Sequence, residues 1–148
     1  MYLVDTNIIS EIRKGDKADA GVRAFFDTVI AQNIRLYISV ITIGELRRGV
    51  DLIFQRGDSI QGKLLETWLN AIFQEYQHNI LGIDADITLI WGKLRAPQAE
   101  NALDKLIAAT ALSYGLTVVT RNVKDFEQTG VGLFNPFTDT NPSVLPKR

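Results

Sequence analysis

The chain of 148 residues contains no cysteine and a single histidine, His78. The lack of cysteine excludes a disulfide framework, a thiolate nucleophile, and a zinc or iron–sulfur site ligated by sulfur. One histidine also excludes a His-rich metal site, and a Ser-His-Asp triad would depend on His78 alone. Because His78 follows an amphipathic run with no nucleophile motif beside it, we expect a partly exposed residue at a helix end.

Long apolar runs and a dominant charge are also missing. The longest apolar stretch without charge covers residues 106–120 and falls short of the ~20 residues that cross a bilayer. No basic segment precedes an apolar run at the start of the chain, so we expect a cytoplasmic protein. The 16 Lys and Arg residues nearly balance the 17 Asp and Glu residues, which excludes a histone-like coat of nucleic acid but permits a local basic patch.

Short apolar runs rich in Val, Ile and Leu predict a parallel sheet. They lack polar alternation, as is typical of strands buried on both faces. Segments with helical spacing of apolar residues separate them, so we expect an α/β domain with three layers and right-handed crossovers. The five predicted strands are Tyr2–Val4, Leu36–Val40, Ile80–Ile83, Leu116–Thr120 and Val131–Phe134.

The length predicts one domain, which we place at residues 1–137. Three prolines in the last 14 residues indicate an irregular tail at residues 138–148. Trp68 and Trp91 lie on helical stripes and favour a core position, although a half-exposed partner surface stays open.

Four acidic residues come from segments that the predicted topology brings to one edge of the sheet. Asp5 follows the first strand, Glu45 follows the second, and Asp125 follows the fourth. Asp104 begins the helix that feeds the fourth strand, so it also lies at the carboxyl edge. Since ligands of open α/β sheets bind at this edge, we expect the four carboxylates to converge there.

Three of these acids also have a simpler explanation as helix-capping residues. Thr42 and Glu45 match a capping box, and Asn101 and Asn122 each stand three residues before an acid. Asp5 ends a strand, where a cap is less needed. Taken together, however, four neighbouring carboxylates repel one another unless a cation neutralises them. Oxygen ligands select Mg²⁺ or Mn²⁺, which indicates phosphoryl chemistry.

The ordered set of these motifs resembles the PIN-domain ribonucleases, and more narrowly the VapC-type toxins of prokaryotic toxin–antitoxin pairs. The resemblance implies a parallel sheet of strand order 3-2-1-4-5 with helices on both sides. Asn135-Pro136-Phe137 also resembles the FitB-like branch. The segments that carry the resemblance to the PIN-domain ribonucleases are Val4-Asp5-Thr6-Asn7, Ile43-Gly44-Glu45-Leu46, residues 104–111, and Val119-Thr120-Arg121-Asn122 with Asp125-Phe126.

The resemblance implies a metal-dependent endoribonuclease that acts as a toxin and inhibits translation. Asp5 and Asp104 are then direct ligands of Mg²⁺ or Mn²⁺, while Glu45 and Asp125 hold surrounding waters or a second ion. Polar neighbours would orient these carboxylates, although two of them, Asn7 and Asn122, are equally well explained as helix caps. The orienting residues are Thr6, Asn7, Thr120 and Asn122.

An acidic pocket needs cations around it to bind RNA. Arg47, Arg48 and Arg121 lie next to the acidic motifs and are the expected phosphate contacts, with Arg13 and Lys14 as further candidates. The resemblance also implies two partners. One is a second copy of the chain, and the other is a small antitoxin whose C-terminal segment covers the active site.

Other functions stay open at this point. A phosphatase of the haloacid-dehalogenase type would need an acid at position 7, where Asn7 stands. A receiver domain would need a lysine at the end of the last strand, where Asn135 stands. A non-catalytic RNA- or protein-binding module and a housekeeping nuclease would both keep the fold.

Overall fold

The computed structural model describes residues 1–139. Within them, five strands form one parallel sheet in the order β3-β2-β1-β4-β5, which confirms the expected fold. All five predicted strands are present, although most are shorter than expected. The strands are β1 (Tyr2–Val4), β2 (Leu36–Ser39), β3 (Ile80–Leu81), β4 (Thr117–Val119) and β5 (Leu133–Phe134).

Helices connect the strands on both faces of the sheet. Two 3₁₀ turns, Gly15–Lys17 and Glu127–Thr129, complete the described part of the chain. The helices are α1 (Thr6–Ile12), α2 (Ala20–Ala31), α3 (Val40–Gln55), α4 (Ser59–Glu75), α5 (Ala85–Arg95), α6 (Ala102–Tyr114) and α7 (Val123–Phe126).

Strand alternation divides the core into two clusters, one on each face of the sheet. Tyr2 and Val4 belong to the cluster formed with α1–α4, whereas Leu3 belongs to the cluster formed with α6 and α7. Val119 and Val118 of β4 divide in the same way. Because successive side chains of a strand point to opposite faces, this division confirms three layers.

The central strands bring two polar segments together at the carboxyl edge. Val4 pairs with Val119 in the parallel ladder, and the Asp5 N–H donates to the Val119 carbonyl oxygen at 2.9 Å. Asp5 and Thr120 therefore leave the sheet side by side. Their juxtaposition follows from register, since both are the first residues after paired strand ends.

Helix α3 begins earlier than the sequence pattern predicts. Ser39 caps it, with its hydroxyl accepting from the Ile41 N–H at 3.0 Å, so Val40 is helical rather than part of β2. Glu45 is consequently the sixth helical residue and lies outside the first turn. The proposed capping box of Thr42 and Glu45 is wrong, because a serine at the strand end already fills that role.

The last described residues, 135–139, form a tight turn, which we call the C-terminal turn. Asn135 is buried and its Oδ1 accepts from the Phe137 N–H at 3.0 Å. The Asn135 N–H in turn donates to Asp139 Oδ2 at 2.8 Å. Of the predicted irregular tail, residues 140–148 lie outside the described residues. Nowhere in residues 1–139 does a helix combine the length and apolarity needed to cross a membrane.

Candidate active site

Asp5 is a buried carboxylate held by three donors. Only 3% of its surface is exposed. Its Oδ1 accepts from the Thr6 N–H at 2.8 Å, and its Oδ2 accepts from Thr120 Oγ1 at 2.8 Å and from Asn7 Nδ2 at 3.3 Å. Asp5 thus caps α1, although the sequence suggested that a cap is less needed there.

Burial raises the pKa of Asp5, and the negative charge of Glu45 adds to the rise. The hydrogen bonds from Thr120, from the Thr6 backbone and from Asn7 act in the opposite direction, because they favour the ionised form. The donors therefore reduce the cost of keeping this buried carboxylate charged. They also leave it a single orientation at the edge of the sheet.

Thr120 and Asn7 join the ends of β1 and β4 around Asp5. The Thr120 hydroxyl donates to Asp5 and accepts from the Asn122 N–H at 3.0 Å and from Asn7 Nδ2 at 3.4 Å. Asn7 Oδ1 accepts from the Arg121 N–H at 3.1 Å. Asn7 is the second residue of α1, and its side chain bonds across the site rather than capping the helix.

Thr6 connects the same edge to α3. Its hydroxyl donates to Glu45 Oε1 at 2.9 Å and lies 3.2 Å from Thr42 Oγ1. Glu45 is half-buried, and Thr42 is fully buried. One turn of α1 therefore holds two carboxylates, Asp5 through backbone and amide donors and Glu45 through the Thr6 hydroxyl.

Asp104 and Asp125 complete the acidic cluster from the other face of the sheet. Each is the third residue of its helix, α6 or α7, and each is half-buried. Burial, followed by the negative charges of Asp5, Asp125 and Glu45, raises the pKa of Asp104 to about 6. All four carboxylates thus share one electrostatic neighbourhood.

The capping explanation for Asp104 and Asp125 is only partly met. Asn101 and Asn122 stand at the N-cap positions of α6 and α7, but neither side chain makes a capping hydrogen bond. Asn122 contributes its backbone N–H to Thr120 instead. The two acids still lie in first turns, where the helix dipole favours a negative charge.

The acids are not arranged as a ready ligand set. Within residues 1–139, no group of three or more Asp, Glu, His or Cys side chains is placed so that it could hold a metal ion. His78, the one histidine, is exposed three residues after the end of α4. Any cation at this edge would therefore depend on one or two carboxylates and on water for its remaining ligands.

The predicted phosphate contacts differ in their surroundings. Arg47 is paired at 2.7 Å with both Asp51 of α3 and Glu66 of α4, and the pair with Glu66 links the two helices. Arg48 is exposed on α3. Arg121 is exposed beside Thr120, and its guanidinium carbon lies 4.5 Å from the centre of the Phe137 ring.

Several contacts near the site carried no clear sequence signal. Trp91 is half-buried, and its indole Nε1 donates to the Ala102 carbonyl oxygen at 2.9 Å, which ties α5 to the start of α6. Lys105 is buried next to Asp104 and donates to the Gln98 carbonyl oxygen. Trp68, by contrast, had a sequence signal: it packs against the core under α1–α4, as its helical stripe predicted.

Comparison with known proteins agrees with this fold. The model of the PIN domain family matches residues 2–132. Because the match covers most of the chain, the chain belongs to the PIN domain family.

Individual relatives are similar over nearly their whole length. Toxin FitB of Neisseria gonorrhoeae is 33% identical over 144 residues, which cover 94% of this chain and 100% of the relative. The VapC ribonuclease Y4jK of Sinorhizobium fredii is 33% identical over 145 residues, which cover 93% of this chain and 98% of the relative.

Solved structures show the same architecture. FitAcB from Neisseria gonorrhoeae superposes with a TM-score of 0.82 at 32% identity and covers 94% of this chain and 100% of its counterpart. A toxin–antitoxin complex from Klebsiella pneumoniae superposes with a TM-score of 0.60 at 27% identity and covers 92% of this chain and 98% of its counterpart.

Proposed function

We propose that this chain is a divalent-metal-dependent endoribonuclease and the toxin of a toxin–antitoxin pair. The observation that carries the proposal is the acidic edge, where burial and then the negative charges of Asp5, Asp125 and Glu45 raise the pKa of Asp104. Relatives with the names toxin and ribonuclease, each matching over more than nine-tenths of this chain, support the same assignment.

The donor chemistry of the edge suits a hard divalent cation. Every candidate ligand is a carboxylate oxygen, and the mutual repulsion that acts on Asp104 favours a positive charge among them. Mg²⁺ keeps several waters and uses one or two carboxylates, so a preformed group of three acids is not required. Asp5 and Asp104 would ligate directly, with Glu45 and Asp125 acting through water.

A bound Mg²⁺ or Mn²⁺ would supply Lewis-acid activation of the scissile phosphodiester and of the attacking water. The protein's own residues prepare the site for it. Thr120 and Asn7 hold Asp5 in one orientation, and Thr6 holds Glu45. The Asp104 carboxylate accepts no hydrogen bond within residues 1–139, so its oxygen atoms are available to a ligand.

A groove beside the acidic edge suits the antitoxin as partner. It encloses about 570 Å³ between α1, α2 and α4 and has an apolar floor that includes Ile12, Phe26 and Ile72. Its lining shares Arg13 and Trp68 with a smaller hollow that reaches Thr6 and Glu45. An amphipathic segment in the groove would lead directly to the carboxylates and block them.

The direct test is RNA cleavage by the chain purified without a partner. We expect cleavage of structured RNA with Mg²⁺ or Mn²⁺, none in EDTA, and none by Asp5→Asn. Asp86→Asn is the matched control, because Asp86 is an exposed acid in the first turn of α5. Equal cleavage by Asp5→Asn, or cleavage in EDTA, would contradict the metal mechanism.

The toxin role has a separate test in cells. Expression should arrest growth, and co-expression of the small open reading frame next to the gene should relieve the arrest. RNA cleavage without growth arrest would instead favour a housekeeping nuclease.

A non-catalytic RNA-binding module is the second candidate. It is favoured by the fact that residues 1–139 present no preformed group of three metal-binding side chains. RNA binding without cleavage at any divalent-ion concentration would establish it in place of the nuclease.

A further inference from the structure

Arg121 is held at three points although its side chain is exposed. Its N–H donates to Asn7 Oδ1 at 3.1 Å, and its carbonyl oxygen accepts from Asn135 Nδ2 at 3.5 Å. Its guanidinium carbon lies 4.5 Å from the centre of the Phe137 ring. An arginine fixed in this way loses little conformational freedom when it binds a ligand.

The segment that supports Arg121 is itself packed against the core and hydrogen-bonded. Phe137 is half-buried and packs against the core cluster under α1–α4. Its backbone N–H bonds to Asn135, which is 8% exposed. On the outer side, α2 approaches so closely that a Cβ on Gly21 would lie 2.0 Å from the Pro136 carbonyl oxygen. The C-terminal turn is therefore clamped between α2 and the end of β4.

The guanidinium itself is left unpaired. Within residues 1–139, Arg121 forms no ion pair, and its side chain donates no hydrogen bond. The nearby carboxylate that feels its charge, Glu11, is occupied by Lys14 at 2.8 Å and by the Asp19 N–H at 2.8 Å. Stacking on Phe137 leaves the donor edges of the guanidinium free, and a planar fork of this kind matches a phosphate.

We propose that Phe137 is a positioning residue that seats the Arg121 guanidinium to bind a phosphate of the RNA strand next to the one that is cut. The inference rests on the proposed ribonuclease function, since Arg121 directly follows Thr120, which bonds Asp5. It goes further by giving the Asn135-Pro136-Phe137 turn a role in substrate binding. Arg47, which is committed to Asp51 and Glu66, has no such freedom.

Binding of a labelled single-stranded RNA oligonucleotide in EDTA, followed by fluorescence anisotropy, tests the inference without cleavage. Phe137→Leu keeps an apolar side chain on the core but removes the ring face, and we expect about two- to fivefold weaker binding. Arg121→Ala should weaken binding about tenfold or more and reduce the slope of log affinity against log salt by about one. Phe137→Leu added to Arg121→Ala should cause no further loss.

Two control variants distinguish a loss of Arg121 positioning from a general loss of folding or of positive charge. Phe54→Leu changes another half-buried phenylalanine of the same core, and Arg35→Ala removes an exposed arginine before β2, at the opposite edge of the sheet. Both should bind RNA like the unmodified chain. In cleavage assays with Mg²⁺, Phe137→Leu should raise KM while leaving kcat within about twofold.

The outcomes distinguish this inference from the proposed function. If the unmodified chain neither binds nor cleaves RNA, the proposed function fails and the inference fails with it. If it cleaves RNA but Phe137→Leu binds RNA like Phe54→Leu, or the losses of RNA affinity caused by Phe137→Leu and Arg121→Ala simply add, only the positioning role of Phe137 is overturned. If a glutamate-rich peptide of matching charge competes with the RNA equally well, Arg121 binds a protein carboxylate instead of a phosphate.

Discussion

Replacing Asp104 by asparagine should stabilise the metal-free protein at neutral pH. The folded-state pKa of Asp104 is about 6, compared with an ordinary value of 3.8. The folded state therefore binds this proton more tightly than the unfolded state does. The stability from the protonated carboxyl is complete below pH 4 and is lost as the pH rises through 6. Asp104→Asn removes the charge and should avoid that loss.

The size of the effect follows from the same shift. Two pKa units correspond to at most about 3 kcal/mol, at 1.36 kcal/mol for each unit. Because Asp104 is half-exposed, solvent screening reduces this to about 1 kcal/mol. For a chain of 148 residues, that is a rise in Tm of about 3 °C.

Thermal unfolding in EDTA at pH 4 and pH 7.5 measures this prediction. The difference in Tm between Asp104→Asn and the unmodified chain should appear at pH 7.5 and vanish at pH 4. Asp86→Asn, which removes an exposed acid from the first turn of α5, corrects for the helix dipole. Added Mg²⁺ should raise the Tm of the unmodified chain more than that of Asp104→Asn. A Tm difference independent of pH would refute the reasoning.

Three further substitutions test other parts of the structure. Thr6→Val removes the donor to Glu45, and should lower cleavage about 10- to 100-fold in an assay with titrated Mg²⁺, with Thr6→Ser restoring it. Arg47→Ala should leave KM for RNA within about twofold in steady-state kinetics and cost less than about 1 kcal/mol in urea unfolding, because its exposed charge is already paired. Gly21→Ala should destabilise the protein by about 1–3 kcal/mol in urea unfolding, because the new Cβ would meet the backbone of the C-terminal turn. Gly92→Ala is the control and should not destabilise the protein, because there is open space around Gly92.

The chain order of elements could be predicted because apolar runs and helical stripes are local signals. Asp5 and Asp104 were placed at one edge by topology alone, and burial and mutual charge support that placement. The predicted start of α3 is wrong, because the sequence pattern assigns Val40 to the strand while Thr42 suggests a competing cap. A capping preference holds for several residue types, so it cannot select among neighbouring candidates.

Contacts between distant segments are what the sequence could not supply. Asn7 and Thr120 meet because β1 and β4 are neighbours in one register, and no local pattern contains that information. The pairing of Arg47 with Glu66 depends in the same way on how α3 packs against α4. Sequence spacing therefore predicted which carboxylates lie near one another better than it predicted which arginine side chains are left unpaired.

The four carboxylates differ in how firmly they are held, and this difference bears on the chemistry. Asp5 is fixed by three donors, whereas Asp104 accepts no hydrogen bond from the described residues and carries the repulsion of its neighbours. Under the proposed metal-dependent function, the fixed carboxylate of Asp5 would set the position of a cation, and the carboxylate of Asp104 would be available to a ligand at the same edge. The net charge of −1 conceals this division, because much of the negative charge that matters is concentrated at one edge of the sheet. Neutralising that edge would leave 16 basic residues against 13 remaining acids, a balance that favours RNA.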